Sequence, residues 1–204
     1  MIAIVDYGVG NLFSLSNSFA HIGVDAEVTS DARKIKDAEK IVLPGVGAFQ
    51  DARAKLSESG LEGVVLDEAA KGKDLLGICL GMQMLFERSF EYGVWEGLGL
   101  LKGEIKSIAD FVPASYKIPH MGWNALEIRK PDSPLLKYVK EGDCCYFVHS
   151  YCASGCEDSL IATAEYGMDI PAVVGKDNVM GCQFHPEKSG EVGISILKAF
   201  SEMK

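Results

Sequence analysis

No run of apolar residues among the 204 is long enough to cross a bilayer, which takes about 20 in succession. The opening MIAIVDYG carries no basic flank, and Asp6 interrupts its apolar residues, so it does not read as a secretory leader or an anchor. Any Lys/Arg cluster is missing as well: 20 basic residues stand against 29 acidic ones, for a net charge of −9. Nucleic-acid recognition needs a basic stripe, so neither nucleic acid nor membrane is an expected partner. There is no CxxC spacing and no GxxxxGK[ST] loop, which removes the commonest thiolate metal site and the phosphate cradle of nucleotide enzymes. GVGNLF (Gly8 to Phe13) and PGVGAFQ (from Pro44) each start like a dinucleotide fingerprint but lack its third glycine. In the first, Phe13 stands where close helix–strand packing requires a residue without bulk.

What is present is ordinary for a globular chain: 48% hydrophobic and 24% charged residues, a length that suits one domain spanning 1–204. The six cysteines are Cys79, Cys144, Cys145, Cys152, Cys156 and Cys182. Neighbouring Cys144 and Cys145 would point to opposite faces of a strand, which argues against a metal cluster. With no secretory leader, the thiols are expected reduced and the chain cytoplasmic, with neither metal nor cofactor.

Short apolar strands alternate with amphipathic helices through the first half. IAIVD (2–6), DAEV (25–28), KIVLPG (40–45) and DLLGI (74–78) read as strands. Residues 11–22, with Asn11 as cap, the stretch from about Ala48, 63–71 and MQMLFERS (82–89) read as helices. That alternation predicts an α/β fold: an open, mostly parallel twisted sheet flanked by helices. The second half changes. LKGEIKSI, GWNALEIR, CCYFVHSYC, LIATAEYG, PAVVGK and NVMGCQF are strand-like and separated mostly by turns, which predicts antiparallel strands before a closing helix over about 190–203.

The chemistry concentrates in DLLGICLGMQMLF, where Cys79 stands between Gly77 and Gly81. If the strand runs directly into a helix, Cys79 occupies the corner, and the residues two before and two after it are forced together. Only glycine fits there, the logic of a nucleophile elbow with sulfur in place of oxygen. A helix start favours an anion at that corner, and the Leu80 N–H is left to face an oxyanion. The plainer alternative is a buried inert cysteine.

A thiol nucleophile needs a base, and four histidines compete. His21 lies near a helix end; His120 and His149 lie near strand ends, where they could serve packing or partner contact. His185 sits in QFHPEKS, where Pro186 holds it extended and an extended segment would place Glu187 on the same side. The expected triad is Cys79–His185–Glu187.

GICLGMQ followed downstream by QFHPEKS resembles the class I, triad-type glutamine amidotransferases. DYGVGNL, LPGVGAF, KIPHMGWN and YFVHSY narrow the resemblance to the glutaminase subunits of imidazole glycerol phosphate synthase, over essentially the whole chain. The resemblance implies that Cys79 attacks the carboxamide of glutamine, and that His185, oriented by Glu187, protonates the departing ammonia and later activates water. It implies a second oxyanion donor from Val46, with Gly45 and Gly47 letting that peptide reorient. It also implies that Gln83, Ser150 and Tyr151 hold glutamine; the bland alternatives are a helix-surface residue and ordinary strand content. The cluster of four cysteines from Cys144 to Cys156 departs from the family pattern.

Strands, helices and matched motifs take up the residues, leaving no stretch for a synthase. Ammonia must then pass to a separate subunit. The resemblance implies a (βα)8-barrel cyclase that forms imidazole glycerol phosphate and aminoimidazole carboxamide ribonucleotide, as partner in a heterodimer. The PHMGWN loop with Trp123 is the expected contact face, against the alternative of a core tryptophan. Two rival readings remain: a hydrolase using the same elbow on another acyl substrate, and a regulatory subunit without activity. Gln83 and PGVG argue against the first, the intact Cys, His and Glu against the second.

Overall fold

The structure, a computed structural model, describes residues 1–203. The first half runs β1 (Ile2–Val5), α1 (Leu12–His21), β2 (Ala26–Thr29), α2 (Ala32–Asp37), β3 (Lys40–Gly45), α3 (Phe49–Glu58), α4 (Leu61–Ala70), β4 (Asp74–Cys79) and α5 (Leu80–Met84). Then follow β5 (Arg88–Ser89), β6 (Trp95–Glu96), β7 (Glu104–Ser107), β8 (His120–Ala125) and β9 (Glu127–Ile128). Last come β10 (Cys144–His149), β11 (Tyr151–Ser154), β12 (Leu160–Glu165), β13 (Asp169–Lys176), β14 (Val179–Cys182) and α6 (Gly190–Glu202).

Eight strands form the main sheet in the order β2-β1-β3-β4-β14-β13-β12-β9. Pairing is parallel from β2 through β14 and antiparallel from β14 to β9. Past Lys40 and Asp74 at their starts, the inner parallel strands β1, β3, β4 and β14 carry no charged residue and are buried, because both faces are covered, whereas the edge strand β2 carries Glu27. Alternate residues divide between two cores. Ala3, Val5, Ile41 and Leu43 pack with Ile35 of α2, Phe49 and Leu56 of α3 and Val65 of α4. Ile2, Ile4, Val42 and Leu76 pack with Leu15 and Phe19 of α1 and Ile196 and Phe200 of α6. Among the described residues no helix is long and apolar enough to cross a membrane.

Several elements differ from expectation, each for a local reason. The helix expected over 82–89 begins at Leu80 and stops at Met84. Its last carbonyls are taken by an incoming loop: Met84 O accepts from Leu98 N, Leu85 O from Leu100 and Leu101 N, and Phe86 O from Gly99 N. The loop can press this close because a Cβ on Gly97 would lie 2.0 Å from Phe86 O. CCYFVHSYC is two strands rather than one. It breaks at Ser150, where the chain leaves its pairing with β8 and joins β7 in a second small sheet. GWNALEIR likewise divides at Leu126, and its first part, with the rest of PHMGWN, is the strand β8 rather than a loop. NVMGCQF is antiparallel only toward β13; toward β4 it is parallel and sits inside the sheet.

Candidate active site

Cys79 ends β4 and caps α5 with φ 53° and ψ −112°. This is left-handed backbone that a non-glycine residue adopts at a cost of about 1–3 kcal/mol, and it persists only where its surroundings over-determine it. The glycines do so by bringing backbone against backbone. A Cβ on Gly81 would lie 1.9 Å from Leu43 O in β3, and one on Gly77 would lie 2.8 Å from both Gly81 C and Gly81 O. A Cβ on Gly45 would lie 2.6 Å from Gly81 N. None of these neighbours is a flexible side chain, so none can give way. Gly45 and Gly47 therefore differ: Gly45 permits close approach, whereas Gly47, at φ +91° with open space around it, is where the PGVG backbone turns. With only five residues, α5 lends the corner less dipole than the longer helix expected.

His185 is 3% exposed and extended at φ −98°, ψ 100°, as a residue before proline should be. Glu187 reaches it differently from expectation. Pro186–Lys188 forms one turn of 3-10 helix rather than an extended segment, and the turn swings the carboxylate back to His185 Nδ1 at 2.8 Å. Ser189 Oγ donates to His185 O (2.7 Å) and closes the turn. α6 packs against it through Gly193, whose Cβ would lie 1.9 Å from Pro186 O. With Nδ1 on Glu187, Nε2 is the ring nitrogen left free for the cavity that Cys79 also lines. Burial pulls the imidazole pKa down, but interaction with the Cys79 sulfur and the Glu187 carboxylate outweighs it and lifts the value to about 9. Burial would raise the Glu187 carboxyl; hydrogen bonding and charge from His185, with Asn11, hold it below its ordinary value instead.

Asn11 does not cap α1. Its Nδ2 donates to Glu187 Oε1 at 2.8 Å, and no cap hydrogen bond forms. The same oxygen thus receives His185 and Asn11, so Asn11 braces the carboxylate that holds the ring.

His120 and His149 form a unit of their own. His149 Nδ1 lies 2.8 Å from the Tyr151 carbonyl, which only accepts, so the proton is on Nδ1 and Nε2 is the acceptor. His120 Nδ1 donates to it at 3.0 Å, and Asn124 Nδ2 lies 3.3 Å from the remaining His120 Nε2. Burial depresses both imidazoles, to about 4 for His120 and about 3 for His149, so both are neutral in this arrangement. Gln83 is buried rather than on a helix surface, and its Nε2 donates to Tyr151 O (2.9 Å) and Gln183 Oε1 (3.0 Å).

These groups surround a cavity of about 430 Å³ at the carboxyl ends of β3 and β4. Of the predicted residues, Val46, Gly47, Cys79, Leu80 and His185 line it, as do Gln83, Ser150 and Tyr151. Glu187 and Gly45 stand behind the lining. Sequence reasoning missed Asn11, His149 and Glu91 as lining residues. Glu91 Oε2 accepts from Phe49 N (2.6 Å), and burial raises its carboxyl pKa. No local pattern marks it in the sequence, because the early end of α5, which the sequence does not announce, precedes the loop that brings it to the cavity. Cys144, Cys145, Cys152 and Cys156 do not line this cavity. Burial pushes Cys145 and Cys152 up to about 12 and Cys156 to about 11, and no cluster suited to a metal occurs among the described residues.

The family model for glutamine amidotransferase class-I matches residues 3–202. The imidazole glycerol phosphate synthase subunit HisH of Caldanaerobacter subterraneus subsp. tengcongensis is 54% identical over 204 residues, covering 100% of this chain and 98% of that protein. The protein of the same name from Oceanobacillus iheyensis is 52% identical, covering 100% and 99%. Among solved structures, a glutamine amidotransferase superposes with TM-score 0.75 at 18% identity, covering 98% of this chain and 99% of its own. PurLQS from Thermotoga maritima superposes with TM-score 0.75 at 21% identity, covering 98% and 96%. At those identities the structures establish the likeness of fold.

Proposed function

The chain belongs to the class-I glutamine amidotransferases and, within them, to the HisH subunits of imidazole glycerol phosphate synthase. From that premise we propose that residues 1–204 act as one glutaminase domain, with Cys79, His185 and Glu187 as its triad. The chain hydrolyses glutamine to glutamate and ammonia, and feeds the ammonia to a cyclase subunit in histidine biosynthesis.

The observation that carries the triad is that Asn11 and His185 both bond the Glu187 carboxylate, and that the ring so held lines the same cavity as Cys79. The Cys79 sulfur attacks the carboxamide carbon, and its electron pair forms the C–S bond. The carbonyl oxygen becomes an oxyanion, which the N–H groups of Leu80 and Val46 receive. His185, raised to about 9, carries the proton that the departing ammonia takes when the C–N bond breaks. Neutral His185 then removes a proton from water as the water attacks the glutamyl thioester. The sulfur leaves with its electron pair, and glutamate is released.

Gln83, Ser150 and Tyr151 hold the substrate. Because both Gln83 N–H bonds are spent on Tyr151 O and Gln183, its oxygen is the atom that faces glutamine. Glu91, a carboxylate on the lining, suits the substrate's α-ammonium group. The receiving cyclase is a (βα)8 barrel paired with this chain as a heterodimer, and it makes imidazole glycerol phosphate and aminoimidazole carboxamide ribonucleotide. The cytoplasm is the compartment consistent with reduced thiols.

The test is Cys79→Ala in the reconstituted complex. Glutamine-dependent synthesis should be lost while synthesis from added ammonium salt continues. Glutamine turnover surviving in that variant would remove Cys79 from the mechanism.

A further inference from the structure

Gln183 has no role in the triad, yet it lies at the end of β14 with no exposed surface, and its Nε2 is 3.8 Å from Cys79 Sγ. Which end of such an amide faces the sulfur is fixed here by a backbone atom. The Tyr151 carbonyl can only accept, so Gln83 must turn its nitrogen toward it. That nitrogen's second N–H then needs an acceptor, which is Gln183 Oε1 at 3.0 Å. The Gln183 NH2 is therefore the end that meets the sulfur. The backbone N–H of Gln183, bonded to Ala172 O at 2.9 Å, holds the residue in register. His149 Nδ1–H secures the Tyr151 carbonyl from the other side.

From this chain of donors we propose that Gln183 is a further catalytic residue, a hydrogen-bond donor to the Cys79 sulfur whose orientation is set by Gln83 and the Tyr151 carbonyl. The inference rests on the reading of Cys79 as nucleophile. A donor aimed at sulfur favours the thiolate over the thiol. It helps twice in the cycle. Before attack it holds Sγ in place with its charge compensated. After the C–S bond forms, the thioester sulfur is a poor acceptor and the interaction slackens. It returns as water's oxygen bonds to the carbonyl carbon, the C–S bond breaks, and the electron pair goes back to sulfur. Release of glutamate thus draws on a stabilisation that thioester formation had set aside.

Other charged or titratable groups around the sulfur are the His185 ring, the Tyr7 hydroxyl bound to Pro44 O, the Cys182 thiol, and Glu91 and Lys188 on the cavity lining. None changes when Gln183 is replaced by methionine, which keeps the length and removes the donor.

The experiment is alkylation by iodoacetamide of the full chain, read by mass spectrometry at Cys79 with exposed Cys144 as internal reference. In Gln183→Met, Cys79 should react more slowly at pH 6.5, by roughly three- to tenfold. At pH 10 the deficit should disappear, with Cys144 unchanged at both. Gln83→Met frees the Gln183 amide to rotate and should give a smaller deficit in the same direction, deciding the matter if Gln183→Met does not fold. Equal slowing at both pH values, or none at either, would overturn the role. Cys79→Ala tests the nucleophile separately, so failure of one reading is distinguishable from failure of the other.

Discussion

At the residue scale, the proposed mechanism turns on the orientation of one imidazole, and Asn11, 176 positions before the carboxylate that holds that ring, helps set it. Removing Asn11 leaves Glu187 holding His185 alone. Asn11→Ala should therefore lower kcat for glutamine several-fold with little change in KM, and Glu187→Gln should cost more, because a neutral amide no longer supports the imidazolium. Steady-state kinetics checks both; an Asn11→Ala effect confined to KM would place Asn11 in binding. The histidines also set a stability profile. Between about pH 6.5 and 9 the folded state keeps a proton on His185 that the unfolded state releases, so stability falls as pH rises through that window. Below about 6.5 the unfolded chain protonates His120 and His149 while the folded chain resists until about 4 and 3, so stability falls again as pH drops. Urea midpoints across pH 4–10 should peak near neutrality, and Cys79→Ala should flatten the alkaline side by removing a partner that raises His185. A wild-type profile without that alkaline decline would contradict the pairing. Cys79, His185 and Glu187 were legible because each sits in a local pattern that chemistry restricts. Asn11 and Gln183 were not: their partners are distant in sequence, and an asparagine before a helix has a commoner use as a cap.

At the scale of elements, the elbow is a three-way contact among the β3 backbone, the end of β4 and the first turn of α5. Gly81→Ala adds one methyl carbon, but that carbon would lie 1.9 Å from a carbonyl oxygen in a central strand. The expected result is a thermal midpoint lower by several degrees and glutaminase activity reduced at least tenfold, as the sulfur moves off line. A stable, fully active Gly81→Ala protein would mean the contact relaxes freely. The spacing of Gly77 and Gly81 around Cys79 announced this corner, because Gly77 meets Gly81 locally; the press of Gly81 on Leu43 O was not legible, since β3 is distant in sequence. The early end of α5 could not be read, because what halts it is a loop returning from residues 97–101, and MQMLFERS carries good helix formers throughout. The break at Ser150 was hidden for a similar reason: propensity says strand on both sides, and only the change of pairing partner divides them.

At the scale of the molecule, β8 shows how the surface is organised around the site. His120 and Asn124 turn inward to His149 and the Glu165 carbonyl, while Met121 and Trp123 face out, 65% and 59% exposed. Trp123 is therefore no core residue, and the β8 strand is the face we assign to the cyclase. Trp123→Ala should weaken capture of that subunit by about ten- to thirtyfold in a titration. Unchanged affinity would move the contact elsewhere. The alternation of faces along β8 was present in the sequence, but the glycine and the preceding proline made it read as a loop.

The placement of β14 has a consequence for synthesis. It lies between β4 and β13, yet both neighbours emerge from the ribosome first. Until Val179–Cys182 arrives, β4 and β13 present unpaired edges, the surfaces most prone to join other chains. His185 and Glu187 follow immediately after that strand. Closure of the sheet and arrival of the base are thus one event, late in translation. On the proposed triad, a nascent chain or a fragment cut before β14 lacks its base and carries an open sheet, so it should release no ammonia.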